Sequence, residues 1–358
     1  MGSLLDSTPA KVTVHPSQFP GAVRRQLVAA LRTGNVPPKF LYDSVRQTQK
    51  WLEVHQAHSP SRINADVTRI YDAAFEDALG QALGQAVALV GLGCGGGQKD
   101  TRCLAKLQPS IPELHYMPCD VSQAMTLVAR EAAAELLPLG QVHPLVCDLA
   151  EADDLGQALD DLLPVETKRV FTFFGMIPNL EPDVILAKLR AQLRDGDQLL
   201  FSANLAPGRD YRAGVERVLP QYDNAETCNW LLSFLTGIGV SDTAGELVFG
   251  IEPVDELLRI VANFKFTQSQ AIKLDGELVA FDVGQTLRLF FSYRYTAETL
   301  AKRLAKHGLQ IVFSEIAESG EEGAFRVALS DQWSPCSSRR TSSMASGSAN
   351  QIRNRWGK

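Results

Sequence analysis

Apolar residues recur along the chain with two different periods, and the changes of period mark out its elements. From Ala22 to Leu31 they fall at helical spacing, and Gly34 followed by Pro37-Pro38 supplies a helix stop signal. From Ile63 to Leu83, the residues Val67, Ile70, Tyr71, Ala74, Phe75 and Leu79 line one face of a longer helix. At Val87-Ala-Leu-Val-Gly91 the pattern becomes a short, continuous apolar run, as expected of a strand buried on both faces. Strand-like runs follow at Leu114–Met117, Val142–Val146, Arg169–Phe174, Gln198–Ala203, Leu287–Tyr293, Gln310–Glu315 and Ala324–Leu329. Helical segments fall between most of them, at Asp100–Leu107, Ser122–Leu136, Asp154–Leu162, Pro182–Leu193 and Ala297–His307. Alternation of strand and helix predicts an α/β fold with a mostly parallel sheet and helices on both faces.

The chain departs from this alternation in four places. The last two strands are joined by Ser319-Gly320-Glu-Glu-Gly323, which signals an antiparallel hairpin closing the sheet. Residues 206–285 insert a helix-like part (Ala225–Leu235) and three more strand-like runs, at Leu247–Gly250, Ile260–Thr267 and Val279–Val283. Together with residues 1–60 this insertion is long enough for a second, smaller α+β domain. That leaves 61–205 with 286–331 for a doubly wound, seven-stranded domain. The first 20 residues, interrupted by Pro9, Pro16 and Pro20, read as loosely ordered. Residues 332–358, rich in Ser, Arg, Asn and Gly, have no periodicity and read as a disordered tail.

Charge narrows the partners. The net charge is −6, and the tail alone carries Arg339, Arg340, Arg353, Arg355 and Lys358 with no acid, so the rest of the chain stands at −11. So acidic a body is a poor match for a phosphate backbone, and a nucleic-acid partner is not expected. The six cysteines are scattered without a C-x-x-C, and the six histidines form no H-x-x-x-H pair, so no metal is expected. No run of about 18 apolar residues is present to span a membrane. Met1–Asp6 lacks the basic-then-apolar pattern of a secretory leader, so the expected compartment is the cytoplasm.

The chemistry gathers at strand ends. Leu92-Gly93-Cys94-Gly95-Gly96-Gly97 follows the first buried strand and opens a helix. Glycines there allow positive φ and close backbone approach, and a helix start offers free N–H groups to a nucleoside ligand. The next strand ends at Asp120, where doubly wound folds place an acid for ribose hydroxyls. The third ends Cys147-Asp148-Leu149, an acid for an exocyclic amine followed by an apolar side chain to cover a purine ring. Gly175 opens the loop after the fourth strand, and Asn179 within it can hold an amine or a carboxylate. Each of Asp120, Asp148 and Asn179 can alternatively serve as a helix cap.

These segments carry a family resemblance over roughly residues 37 to 330. Phe40-Leu-Tyr42-Asp43, Ser59-Pro60-Ser61-Arg62, Leu92-Gly93-Cys94-Gly95 with Lys99, Cys119-Asp120-Val-Ser122, Cys147-Asp148, Gly175-Met-Ile-Pro-Asn179-Leu-Glu-Pro182 and Phe291-Ser292-Tyr293-Arg294-Tyr295-Thr296 resemble the histidine-specific S-adenosylmethionine-dependent methyltransferases. The resemblance implies a Rossmann-like class I methyltransferase domain, a substrate-covering second domain, and S-adenosylmethionine as cofactor. It implies that Gly93, Cys94, Gly95, Lys99, Asp120, Asp148, Leu149 and Gly175 surround that cofactor. It implies that Tyr42 and Asn179 hold a substrate amino acid's amine and carboxylate, with Tyr222 in a nearby loop and Ser292 facing the substrate side chain.

This sequence also departs from the family. Phe290 stands where the histidine enzyme has a glutamate that grips the imidazole, His58-Ser59 replaces a tyrosine, and Pro178 replaces a glycine. Losing a buried acid strongly disfavours an imidazole, so a more apolar small-molecule amine or amino acid is the expected substrate. Three readings remain at this level. The first is N-methylation of such an amine. The second is cyclisation of S-adenosylmethionine itself to azetidine-2-carboxylate and methylthioadenosine, with the aromatic stripe Phe290, Phe291, Tyr293 and Tyr295 facing the sulfonium. The third is a non-catalytic nucleoside-binding module.

Overall fold

The computed structural model describes residues 10–58, 64–274 and 276–330. The Ser59-Pro60-Ser61-Arg62 segment and the tail 332–358 lie outside the described residues. In chain order the strands are β1 (Thr13–Val14), β2 (Val87–Leu92), β3 (Leu114–Asp120), β4 (Leu145–Val146), β5 (Lys168–Phe173), β6 (Gln198–Asn204), β7 (Gly245–Val254), β8 (Leu257–Phe266), β9 (Gln270–Leu274), β10 (Glu277–Phe281), β11 (Thr286–Arg294), β12 (Leu309–Ile316) and β13 (Glu322–Leu329). The α-helices used below are α1 (Pro20–Thr33), α2 (Val45–His58), α3 (Ala65–Ala82), α4 (Gln98–Leu107), α5 (Gln123–Ala133), α6 (Leu155–Leu162), α7 (Pro182–Gln192), α8 (Tyr211–Val218), α9 (Ala225–Gly237) and α10 (Ala297–Lys306).

The main sheet has eight strands in the order β1-β4-β3-β2-β5-β6-β13-β12. Its neighbours are parallel from β1 through β6, and β13 enters antiparallel between β6 and β12. Strand β2 is buried at every position because both faces are covered. Val87 and Leu89 pack under α3 and α4 with Ile70, Ala74 and Leu104, whereas Ala88 and Val90 face α6 and α7 with Leu159, Ile185 and Leu189. This is the period of two expected of a strand, made invisible in the sequence because neither face is polar.

Beside this sheet stand a three-stranded antiparallel sheet, β11-β8-β7, and the β9–β10 hairpin. Ala30 and Leu31 of α1, Phe40 and Leu41, Trp230 and Phe234 of α9, Phe264 of β8 and Leu287 of β11 share one apolar core. Residues before 60 and residues after 206 therefore meet in space.

Two expectations need correction. Leu287–Tyr293 reads as another strand of the alternating sheet, but β11 pairs antiparallel with β8. It looks like a central strand because it is wedged between two cores: Leu287, Leu289 and Phe290 enter the smaller one, and Phe291 and Tyr293 the larger. A register shift between Arg288 and Phe290 changes the phase of the alternation at that point.

Residues 10–20 are also built into the fold. Strand β1 adds a further strand to the expected seven by pairing with β4. Buried His15 accepts the Ser17 N–H at Nδ1 (3.1 Å) and reaches Asp154 Oδ1 through Nε2 (2.8 Å). Ser17 Oγ accepts the Asp148 N–H at 3.1 Å, and Gln18 Nε2 donates to Val121 O at 2.8 Å. The prolines remove donors from this segment, and side-chain hydrogen bonds replace the missing regular ladder.

Candidate active site

A cavity of about 500 Å³ opens along the carboxyl ends of the parallel strands. It is lined by Asp148 after β4, Asp120 at the end of β3, Gly93 and Gly95 after β2, Gly175 after β5, Asn204 of β6 and Glu322, which begins the antiparallel β13. Open α/β sheets bind ligands at this edge because the connecting loops part there. Of the residues singled out from the sequence, Tyr42, Gly93, Cys94, Gly95, Lys99, Asp120, Asp148, Leu149, Gly175 and Asn179 line it together. Tyr222, Phe290 and Ser292 do not; they form a cluster beside it.

The glycine loop is held open sterically. A Cβ on Gly91 would collide with the Asp100 carboxylate, itself fixed by Thr172 Oγ1 (2.7 Å) and the Tyr116 hydroxyl (2.8 Å). A Cβ on Gly97, at φ +75°, would come within 2.9 Å of Ala129 Cα. Only glycine lets α4 start this close to α5. Burial pushes the Asp100 carboxyl up to about 6, despite the two hydroxyl donors. Burial, reinforced by Asp120 and Asp100, pushes the Cys94 thiol well above its ordinary range, so it is a neutral wall and not a nucleophile.

The three polar candidates are not helix caps. Ser122 caps α5, while Asp120 accepts Gly95 N–H at Oδ2 (3.0 Å) and Ser122 N–H at Oδ1 (2.9 Å), which bridges the glycine loop to β3. Burial raises its pKa and these backbone donors pull it back down. Asp148 Oδ1 accepts Ala150 N–H at 3.0 Å, and its Oδ2 pairs with Lys39 Nζ at 2.9 Å. Glu181 occupies the cap position of α7, and Asn179 instead donates its Nδ2 to Phe291 O at 2.6 Å. With the donor end fixed on β11, what Asn179 offers the cavity is its carbonyl oxygen. It can therefore accept from an amine, while the second Nδ2 hydrogen remains a donor.

At the other end of the cavity, Lys99 Nζ donates to the Tyr71 hydroxyl at 2.9 Å, and that hydroxyl donates to Glu322 Oε1. Lys99 Nζ also lies over the Tyr71 ring, 4.3 Å from its centre. Burial lowers the Lys99 pKa, and Glu322 and Asp100 oppose that.

In the neighbouring cluster the Tyr222 hydroxyl lies 2.9 Å from Ser292 Oγ and accepts Arg294 Nη2 at 2.7 Å. An unbroken run of rings joins the two regions: Trp51 to Tyr42 (5.8 Å), Tyr42 to Trp230 (5.4 Å), Trp230 to Phe290 (5.9 Å) and Phe290 to Tyr222 (5.7 Å). Sequence reasoning missed Lys39, Trp51, His55, Tyr71 and Glu322, all of which line the cavity. Trp51 and His55, four apart and stacked at 4.8 Å on α2, carried a readable helical spacing. Glu322 sits in a turn motif with no chemical signal.

The model of the family described as histidine-specific, S-adenosylmethionine-dependent methyltransferases matches residues 23–236, more than half of the chain. The chain belongs to this family. It is a methyltransferase that uses S-adenosylmethionine. Comparison with curated proteins gives no match. Among solved structures, an S-adenosylmethionine-dependent methyltransferase from Clostridium acetobutylicum is 15% identical, with 79% of this chain and 98% of that chain covered and a TM-score of 0.41. Mitomycin 7-O-methyltransferase is 16% identical, covering 88% and 70%, at 0.43. Magnesium protoporphyrin IX methyltransferase from Synechocystis, with bound S-adenosylhomocysteine, is 10% identical, covering 82% and 98%, at 0.42.

The residues present suit this methyltransferase's cofactor. The positive-φ glycines bring the backbone close to the cavity, and the carboxylates of Asp120 and Asp148 both line it. Among the described residues no helix is long and apolar enough to cross a membrane, and no group of three or more His, Cys, Asp or Glu side chains is placed to hold a metal ion.

Proposed function

We propose that this methyltransferase acts on the α-amine of an amino acid, or a related small amine, other than histidine. The observation that carries the reading is the Asn179 amide. One Nδ2 hydrogen goes to Phe291 O, which anchors the amide at the cavity wall and leaves its oxygen able to accept. An amide oxygen accepts one amine hydrogen and leaves the nitrogen lone pair directed elsewhere.

S-adenosylmethionine, when bound, supplies an electrophilic methyl group. The chain's own residues do the rest. The glycine loop, Asp120, Asp148 and Leu149 would hold the nucleoside. Tyr42, whose hydroxyl burial and Asp120 keep firmly protonated, would orient the amine together with Asn179. Such a reaction needs little acid–base help and depends on holding a neutral amine in line, in a site from which water is excluded. Trp51 and His55 cover the glycine loop from α2, with Trp51 about 3.5 Å from the Cβ position of Gly95.

Exclusion of histidine rests on Phe290. Its ring is packed between Trp230 and Tyr222 and offers no acceptor to an imidazole N–H. The test is product analysis of purified protein with S-adenosylmethionine and a panel of amino acids and amines. S-adenosylhomocysteine and a methylated amine are expected, with histidine near background. Histidine turned over as fast as the best substrate would overturn the specificity, and methylthioadenosine as the nucleoside product would replace methyl transfer by cyclisation.

A further inference from the structure

The loop that carries Asn179 is tied to the smaller sheet twice. Asn179 Nδ2 donates to Phe291 O of β11 at 2.6 Å, and Glu181 Oε2 accepts the Tyr293 hydroxyl at 2.8 Å. Residues 179 and 181 thus meet residues 291 and 293, with Leu180 alone between the two ties on the loop. Glu181 stands at the N-cap position of α7, yet its side chain makes no cap hydrogen bond there. Its carboxylate is turned to the sheet instead.

The second tie is the end of a cross-strand row. Glu252 of β7 faces Arg259 of β8 in the strand register, and Arg259 faces Tyr293 of β11. Arg259 donates Nε and Nη2 to Glu252 Oε2, at 3.2 and 3.1 Å. Its Nη1 donates to Glu181 Oε1 and to the Tyr293 oxygen, both at 3.3 Å. Because the Tyr293 oxygen accepts from Arg259, its hydrogen points to Glu181. Burial, reinforced by Glu181, pushes that hydroxyl up to about 12, so it remains a donor. Tyr293 and Arg259 are buried and Glu181 is half-exposed. The row crosses all three strands of the smaller sheet and stops two residues from Asn179. None of Glu181, Tyr293 and Arg259 lines the cavity, so any effect they have on chemistry passes through the loop.

We propose that Glu181, Tyr293 and Arg259 are positioning residues that lock the loop to β11 in one register and so aim the Asn179 amide at the acceptor amine. An amide anchored by one hydrogen bond can still tilt with its loop, and the second tie removes that freedom. Docking of the smaller sheet, and not the loop's own conformation, then aligns the reacting amine. The proposal rests on the reading of Asn179 as an amine-holding residue, and the test keeps the two apart.

The variants are Glu181→Ala, Glu181→Gln, Tyr293→Phe, Asn179→Ala, and Glu181→Ala combined with Asn179→Ala. Turnover is measured with S-adenosylmethionine and the best amine of the product panel, and the cofactor site is checked by calorimetry with S-adenosylhomocysteine. Glu181→Ala and Tyr293→Phe should each lower kcat about tenfold or more, within the roughly hundredfold that a misplacement of about 1 Å costs, with S-adenosylhomocysteine affinity changed less than about twofold. Glu181→Gln keeps an acceptor for the Tyr293 hydroxyl and should recover most of the loss. The double variant should match Asn179→Ala alone, since both changes remove the same alignment. Hydrogen exchange reads the loop without an acceptor: peptides spanning 175–182 should exchange about fivefold faster or more in Glu181→Ala and Tyr293→Phe, with the glycine loop unchanged.

Unchanged loop exchange would overturn the positioning role, as would near-normal kcat in both Glu181→Ala and Tyr293→Phe beside an impaired Asn179→Ala. So would multiplied losses in the double variant, or S-adenosylhomocysteine affinity falling in step with kcat, which marks a general structural role. Near-normal kcat in Asn179→Ala would instead overturn the reading of Asn179 on which the proposal rests.

Discussion

Asp148 Oδ2 lies 2.9 Å from Lys39 Nζ, with the two side chains 6% and 7% exposed. This ion pair joins the loop after β4 to the segment that precedes α2, so this part of the cavity is assembled from residues more than a hundred positions apart. Asp43 stands nearby: burial and Asp148 push its carboxyl up, and Lys39 pulls it down. Lys39→Met therefore leaves two acids facing each other without their cation. Breaking a buried pair from one side typically costs about 3–5 kcal/mol, whereas removing both charges costs much less. Urea unfolding should show Lys39→Met destabilised by that order, and the Lys39→Met/Asp148→Asn double variant recovering a large part. A loss below about 1 kcal/mol in the single variant would mean the pair is solvated.

Asp120 is the simplest test of the nucleoside end. Both its oxygens are anchored by backbone N–H groups, yet the carboxylate faces the cavity and retains lone pairs for ligand hydroxyls. Asp120→Ala should weaken S-adenosylhomocysteine binding by about 1.5–3 kcal/mol, the range for hydrogen bonds to a charged group. Unchanged affinity by calorimetry would take Asp120 out of the site.

Asn179→Ala separates catalysis from stability. The side chain caps no helix, and its removal leaves Phe291 O without a donor, a loss of roughly 1–3 kcal/mol. Turnover should fall much further, since a misplacement of about 1 Å costs roughly a hundredfold. Product formation and melting temperature measured on the same preparation decide the matter; near-normal turnover would reduce Asn179 to a strut for β11.

The pH dependence of stability follows from Asp100. Its carboxyl is raised from 3.8 to about 6 in the fold by burial, so between those values the folded protein binds a proton that the unfolded chain has released. Stability from this group is complete below pH 3.8 and declines as pH rises through about 6, by on the order of 3 kcal/mol at 1.36 kcal/mol per pH unit. Asp43 and Asp120 are shifted in the same direction and add to the slope. Asp100→Asn should flatten the stability profile between pH 4 and 6. An identical slope in the two proteins would show that Asp100 does not carry it.

Much of this protein is written locally. The strand β2, the glycine loop and the start of α4 form one continuous stretch, and each depends on near neighbours: an apolar run, a set of positive-φ positions, a helix start. The same holds for Asp120 and Asp148, which are legible because a strand ends at each. The family resemblance adds a pattern of such local motifs in a fixed order.

Other features depend on which distant segments meet. Nothing near Lys39 signals Asp148, because the pair spans more than a hundred residues and is set by how the segment before α2 docks. Glu322 reads as a hairpin turn and reaches the cavity only because β13 runs antiparallel beside β6, bringing its first residue to the edge where the parallel strands end. Strand β11 has the composition of a central parallel strand, and pairing alone assigns it to the smaller sheet. The sequence determined most of the elements and the glycine-loop and strand-end part of the cavity's lining, since those follow from periodicity and backbone conformation. Tertiary structure decided the charge partners, the free end of the Asn179 amide and the aromatic wall, since each is a contact between segments that share no local signal.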